Sequence, residues 1–379
     1  MSKSILLIFA FGCFFLMAAA PRPSPFDEEY ASPPEIVDIA VVAPFTGAES
    51  FSGDALRDGV RLACEEINTR GMLRYKLRIV LRDTRSDTET AKIVAEKIAG
   101  DSKVAAIIGG GNGAQARAIA QAAQDAGKPV VLANATEEGI TAIGENVFRV
   151  CYSDPVQGSA LAAFARSRDI KTAATPRMNG DSITENLAKS FRETFEALGG
   201  TIVTEILVSL QGNVPGIVFL SSSQQSAAQA IKVIRETKRG VEVFGVVDCN
   251  TPHFLHEAGD ASSATCYTTD HFSAQNKTAA SAAFMRNFTA QYGKPPNSHA
   301  ALGCDALTII AYAMAAANSE QSHAIVSAMS GMKNFEGVTG RITMDDTRSP
   351  EKPVVILRLE NGEFVFVESV APEAMPLGR

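Results

Sequence analysis

Two short stretches carry residue types that can hold a small anionic group: GGGNG, Gly109–Gly113, and NATEE, Asn134–Glu138. A glycine-rich turn offers backbone N–H groups, and the helix after it begins with donors that have no intrahelical acceptor. Together they attract a carboxylate or a phosphate. The spacing points to an anion between Gly111–Ala114 and Asn134–Thr136, with Ala135 in the second loop and the Thr136 hydroxyl as an added donor or acceptor. Gly109, Gly111 and Ala114 also fit the G-x-G-x-x-A form of a dinucleotide fingerprint, and a plain tight turn is a third reading. Against the dinucleotide, another strand-helix-strand unit comes first, and Asn134 stands where an acid should end the following strand.

Other chemistry finds less support. His253 and His256 lie one helical turn apart beside Glu257, but no third metal ligand follows at usable spacing, so an exposed helix face is the plainer reading. G-x-S-x-G does not occur, and nothing argues for an enzyme or a bound cofactor. Five cysteines lie beyond the first 20 residues, Cys64, Cys151, Cys249, Cys266 and Cys304. They have no metal-like spacing and read mostly as small buried hydrophobes.

The elements around these loops alternate. AAIIG is an apolar run of the kind a doubly covered parallel strand needs, Ala114–Ala126 is an Ala/Gln-rich helix stopped by Gly127, and VVLA is the next strand. IVDIAVVAPF and KLRIVLRDT flank a helix with Leu56, Val60, Cys64 and Ile67 on one face. This βαβα order builds a parallel sheet with right-handed crossovers. A second α/β series follows from Val156. Its KTAATPRMN reads as a damaged or edge strand because Pro176 cannot donate to a ladder. TIVTEILVS and GIVFLSSS are joined by only LQGNVP, too short for a parallel crossover, so they are antiparallel or have lost a helix. PVVILRL-ENG-EFVFVES is a hairpin turning at Asn361-Gly362.

With 379 residues, 46% of them hydrophobic, the chain is long enough for two domains. Its net charge of −7 and lack of a basic cluster argue against a nucleic-acid partner. Ser4–Ala20 has the apolar core and small-residue end of a secretory leader; Gly12-Cys13 resembles a lipid-attachment site, but apolar FFLM follows it and a plain leader cysteine is the preferred reading. PRPSPFDEEYASPP reads as a proline-rich tether.

The order of parts resembles the type I periplasmic solute-binding proteins of ABC transporters, in particular the branched-chain amino acid (Leu/Ile/Val) binding family. DIAVVAPFTGAESFSGDALRDGVRLACEEINTRG, IIGGGNGAQARAIAQAAQDAGKPVVLANATEEGIT, FLHEAGD, ALGCDALTIIAYAM and NFEGVTGRITMDD carry the resemblance. It implies two doubly wound, Rossmann-like α/β lobes joined by three crossover strands, VCYSDP, TCYTTDHF and ITMDD, which close on ligand as a hinge. The expected division is a leader, 1–20; a linker, 21–35; a first lobe, 36–150 with 271–342; and a second lobe, 151–270 with 343–379.

Carried over by residue, the family's carboxylate-binding serine falls at Gly113, its threonine at Thr136 and the residue whose backbone carbonyl accepts from an ammonium at Asn134. A tyrosine before the first helix falls at Ser52, beside Phe51, a candidate wall of the pocket. The lid tyrosines fall at Ile183 and Ser223, and the acidic ammonium partner falls at Val247, next to Asp248, which is also a candidate cap for the helix after it. His299 falls near a family aromatic, though a solvated loop histidine is the plainer reading. The resemblance implies a monomeric, periplasmic receptor partnered by a membrane permease. A ligand sensor of the same fold, or a degenerate binding protein, is the alternative. Cys151 and Cys266 precede tyrosines on two crossovers and could approach disulfide range there, with two unpaired thiols as the preferred reading.

Overall fold

The computed structural model describes residues 35–176, 182–204, 215–221, 224–237, 241–245, 252–259, 266–275 and 278–376. The leader and tether segments therefore lie outside the described residues.

The chain opens with β1 (Ile36–Ala43), α1 (Ser50–Arg70), β2 (Lys76–Asp83), α2 (Thr88–Ala99), β3 (Val104–Gly109), α3 (Gly113–Asp125), β4 (Val130–Leu132) and β5 (Val147–Arg149). The five strands form a parallel sheet in the order β2-β1-β3-β4-β5. The apolar runs of β3 and β4 suit the interior of this sheet, where both faces are covered, while the edge strand β2 carries charged residues. Ile39, Val41 and Ala43 of β1 pack on the side of α1, whereas Ala40 and Val42 point to α2 and α3.

Next come α4 (Asp154–Ser167), β6 (Thr172–Ala174), α5 (Ser182–Ala197), β7 (Thr201–Thr204), β8 (Ile217–Leu220), α6 (Gln224–Thr237), β9 (Glu242–Gly245), α7 (Pro252–Ala258) and β10 (Cys266–Asp270). After β10 the chain returns to the first lobe as α8 (Ala279–Tyr292), α9 (Ser298–Ala317) and α10 (Ser322–Ser330). α9 is long and apolar enough to cross a membrane, but most of it is buried, as the central helix of the first lobe's core. A small antiparallel sheet of β11 (Phe335–Gly337), β12 (Gly340–Met344) and β13 (Pro350–Glu351) leads to the hairpin of β14 (Val354–Glu360) and β15 (Glu363–Val370). Asn361 and Gly362 both have positive φ, 51° and 82°, which fits the tight hairpin turn.

The second sheet runs β15-β14-β10-β9-β8-β6-β7. The edge-strand expectation fails here, and so does the antiparallel alternative for the next two strands. β6 is an interior strand, paired in parallel with β7 and β8, because it ends at Ala174 and leaves Pro176 beyond the ladder. β7 and β8 are not antiparallel neighbours: both run parallel to β6, one on each side of it. β7 is described as far as Thr204, and residues 205–214 lie outside the described residues.

Cys64, Cys151, Cys266 and Cys304 are buried free thiols, while Cys249 lies outside the described residues. A Cys151–Cys266 bridge is ruled out by packing. Cys151 belongs to the first lobe's core, whereas Cys266 starts β10 and packs with α6 and β8 in the second.

Candidate functional site

The residues just after β3 and β4 meet the first turns of α1 and α9 around a shallow dimple. Ser52, Gly110, Gly111, Asn134 and His299 line it, with Leu56 and Leu302 at its apolar base. Three sequence candidates, Ser52, Asn134 and His299, are thus brought together. Phe51 stands at the rim, 66% exposed, with its ring edge-on to His299 at 6.5 Å between centroids. His299 is not a solvated loop residue. It is half-buried in the first turn of α9, and desolvation pushes its imidazole down to about 4, so the ring is neutral at physiological pH.

The N-terminus of α3 differs from expectation. The Glu49 carboxylate reaches it and accepts from the Asn112 backbone N–H at 3.2 Å, Asn112 Nδ2 at 2.7 Å and Gln115 Nε2 at 2.9 Å. Asn112 in turn caps α3, its side chain accepting from the Gln115 N–H. Gly111 adopts φ +100°, and a Cβ there would lie 2.8 Å from Gln115 Oε1. The first two helical residues, Gly113 and Ala114, keep N–H groups that precede the intrahelical ladder. A second carboxylate stands nearby: Glu137, which pairs with Arg117, has Oε2 3.6 Å from where a Gly113 Cβ would be. An internal anion therefore already occupies part of the site that the sequence assigned to a ligand anion.

The second loop also divides its roles. Asn134 faces the dimple, and its Oδ1 is buried without a hydrogen-bond partner among the described residues. Ala135 is 2% exposed and packs into the core beside α3, so it offers a ligand no side chain. Thr136 does not line the dimple. Its carbonyl accepts the Asp154 N–H at 2.8 Å and so ties the loop to the start of α4. Arg149 reinforces that tie, donating to the Glu137 carbonyl at 2.9 Å and to Ser349 Oγ at 2.8 Å. Farther out, Asn186 of α5 donates across to Glu138 at 3.2 Å.

Residues 36–363 match the periplasmic binding protein family. The chain belongs to this family. It is a binding protein rather than an enzyme, and the two lobes with three connecting segments are the family's architecture. Among curated relatives, the Leu/Ile/Val-binding protein BraC3 of Rhizobium johnstonii is 22% identical over 360 residues, covering 88% of this chain and 94% of the relative. Among solved structures, the leucine binding protein LivK of Thermotoga maritima superposes with a TM-score of 0.76 at 26% identity, covering 89% of this chain and 99% of that one. A solute binding protein of Rhodopseudomonas palustris, solved with 3,4-dihydroxy benzoic acid, gives 0.72 at 23% identity, covering 89% and 96%.

In this periplasmic binding protein the segments that follow β6, β8 and β9 carry the remaining sequence candidates. Residues 177–181, 222–223 and 246–251 lie outside the described residues, and with them Ser223 and Asp248. Sequence reasoning missed Glu49, because nothing local announces that it will meet Asn112, 63 positions away.

Proposed function

We propose that this chain is the extracytoplasmic receptor of an ABC importer, a monomer that captures a small polar solute between its lobes and delivers it to a membrane permease. The observation that carries this reading is the dimple at the strand ends of the first sheet, where Ser52, Asn134 and His299 converge beside an exposed aromatic, Phe51. Polar groups converging at such a switch point bind by closure and supply no reactive group. Relatives named for leucine, isoleucine and valine, and a neighbour holding a dihydroxybenzoate, support a solute of amino-acid or small aromatic size.

The first lobe narrows that class. With Glu49 already seated on α3, a ligand carboxylate entering there meets a like charge, whereas Glu137 over Gly113 is paired with Arg117. The buried Asn134 oxygen calls for a donor. A solute presenting an amide or amine end to the first lobe fits these groups better than a bare carboxylate. Ser223 and Asp248 would meet it from the second lobe. Export under the Ser4–Ala20 segment completes the proposal, with Cys13 read as a cysteine of the leader's apolar core and lipid at Cys13 as the alternative.

Thermal-shift screening of amino acids, amides and organic acids tests it. A solute at 100 times its dissociation constant stabilises by about 2.7 kcal/mol. A panel in which no member raises the melting temperature would count against a receptor, and the intact mass of the mature protein decides the lipid.

A further inference from the structure

Glu49 directly precedes α1 and could cap that helix, yet its carboxylate makes no capping bond there and crosses to α3 instead. The turn around it is built for that crossing. Ser86 Oγ accepts the Glu49 N–H at 2.9 Å and donates to the Thr46 carbonyl at 2.9 Å. Arg85 and Ser86 both hold positive φ, 56° and 57°, which a non-glycine residue adopts only when its surroundings impose it. The Asp83 carboxylate holds the other side of the same turn, accepting the Phe45 and Thr46 N–H groups at 2.9 and 3.1 Å.

The partners that Glu49 meets at α3 are neutral, the Asn112 and Gln115 groups. Among the described residues it forms no ion pair, whereas Arg57 of α1 is matched to Asp54 and Asp58, and Arg117 of α3 to Glu137. The α3 dipole offsets part of the Glu49 charge, and a cation would offset the rest.

The dimple one turn along α1 offers acceptors. Ser52 Oγ spends its one hydrogen on the Glu49 carbonyl at 2.8 Å, so toward the dimple it can only accept. Asn134 Oδ1, also on the wall, is a buried acceptor without a partner among the described residues. Two of the backbone donors there are already used, Gly110 N–H on the Val42 carbonyl and Ala133 N–H on the Gly109 carbonyl, each at 2.9 Å. His299 brings no positive charge of its own, because burial keeps its ring neutral near neutral pH.

We propose that the first lobe recognises a cationic nitrogen group, an amidinium or an ammonium, whose N–H bonds go to Ser52 Oγ and Asn134 Oδ1 and whose charge is balanced by Glu49. This rests on the receptor reading and deepens it: the solute is a base, and its charged end is the one the first lobe takes. A carboxylate has no hydrogen for either acceptor. A carboxamide has the hydrogens but gains nothing from Glu49, whereas a cation has both advantages. At the rim, Phe51 stands exposed and edge-on to His299, and it offers a flat apolar body a face to lie on.

Benzamidine, benzamide and benzoate have nearly the same shape and differ in charge and in donors, so titration calorimetry of the three on the full chain near neutral pH tests this. Benzamidine is expected to bind about tenfold tighter than benzamide, with benzoate weakest. Added salt should weaken benzamidine and leave benzamide unchanged. Glu49→Gln should bring benzamidine to the affinity of benzamide, and Ser52→Ala should weaken both alike. Thermal melting verifies that each variant folds, and the salt series on the unmodified chain decides the charge term without them. Equal binding of the three probes, benzoate as the tightest, a benzamidine preference that survives Glu49→Gln, or unchanged benzamidine affinity in Ser52→Ala overturns the proposal. The receptor reading fails separately, if no solute of the wider thermal-shift panel binds; a panel solute that binds where benzamidine does not keeps the receptor and removes the cationic end.

Discussion

Glu49 sits on the N-terminus of α3 with a carboxylate oxygen 2.7 Å from Asn112 Nδ2. Glu49→Gln removes the charge but keeps an acceptor for the Asn112 donors. We expect α3 to lose about 1 kcal/mol of capping and dipole stabilisation. Benzoate should gain about tenfold in affinity relative to benzamide, a change of about 1.4 kcal/mol, once the repulsion is gone. Titration calorimetry of both probes on both proteins measures the ratio; an unchanged ratio would mean that Glu49 does not screen anions.

The first lobe was largely legible in the sequence. β3 and β4 are unbroken apolar runs, β1 is interrupted only by Asp38, and α3 starts within a residue of expectation because Asn112 caps it. The second lobe was less so. Pro176 was counted inside a strand that ends at Ala174, and this turned an interior strand into an edge. At the site, Asn134 could be placed because strand-end position is written in element order, whereas Ser52 and His299 were reached only through the family resemblance. Glu49 could not be placed at all. A charged residue in a turn has no local mark of the partners that folding brings to it.

The separate packing of Cys151 and Cys266 gives a direct chemical test. Burial pushes their thiols up to about 11 and about 12. Neither should react with Ellman's reagent at pH 8 until the protein unfolds, and a reductant should leave the melting temperature unchanged. A linked Cys151/Cys266 peptide in a non-reducing digest would contradict the packing described.

α1 and α9 approach so closely at Gly59 that a Cβ there would lie 1.9 Å from the Ala300 carbonyl oxygen. The obstacle is helix backbone, which cannot rotate aside. Gly59→Ala should therefore cost about 3 kcal/mol, despite the better helix propensity of alanine. Gly71→Ala is the contrast: it has open space around it but a φ of +63°, so its smaller cost comes from backbone strain alone. Urea midpoints of the two variants separate crowding from strain, and equal losses would refute the close crossing.

Acid should unfold this protein partly through two histidines. His271 lies well below the usual imidazole range and His299 is lowered to about 4, in both cases because burial disfavours the charged ring. The unfolded chain binds protons on both below about pH 6.5 while the fold does not, so stability falls as pH drops from 6.5. The His299 contribution is complete near pH 4. It amounts to about 2 kcal/mol once the partial exposure of the ring is allowed for. Replacing His299 by Gln removes that titration while keeping a polar side chain at the dimple. Chemical denaturation at pH 7.5 and 5.0 should give a smaller loss for His299→Gln than for the unmodified chain. The same loss in both would place the acid sensitivity elsewhere.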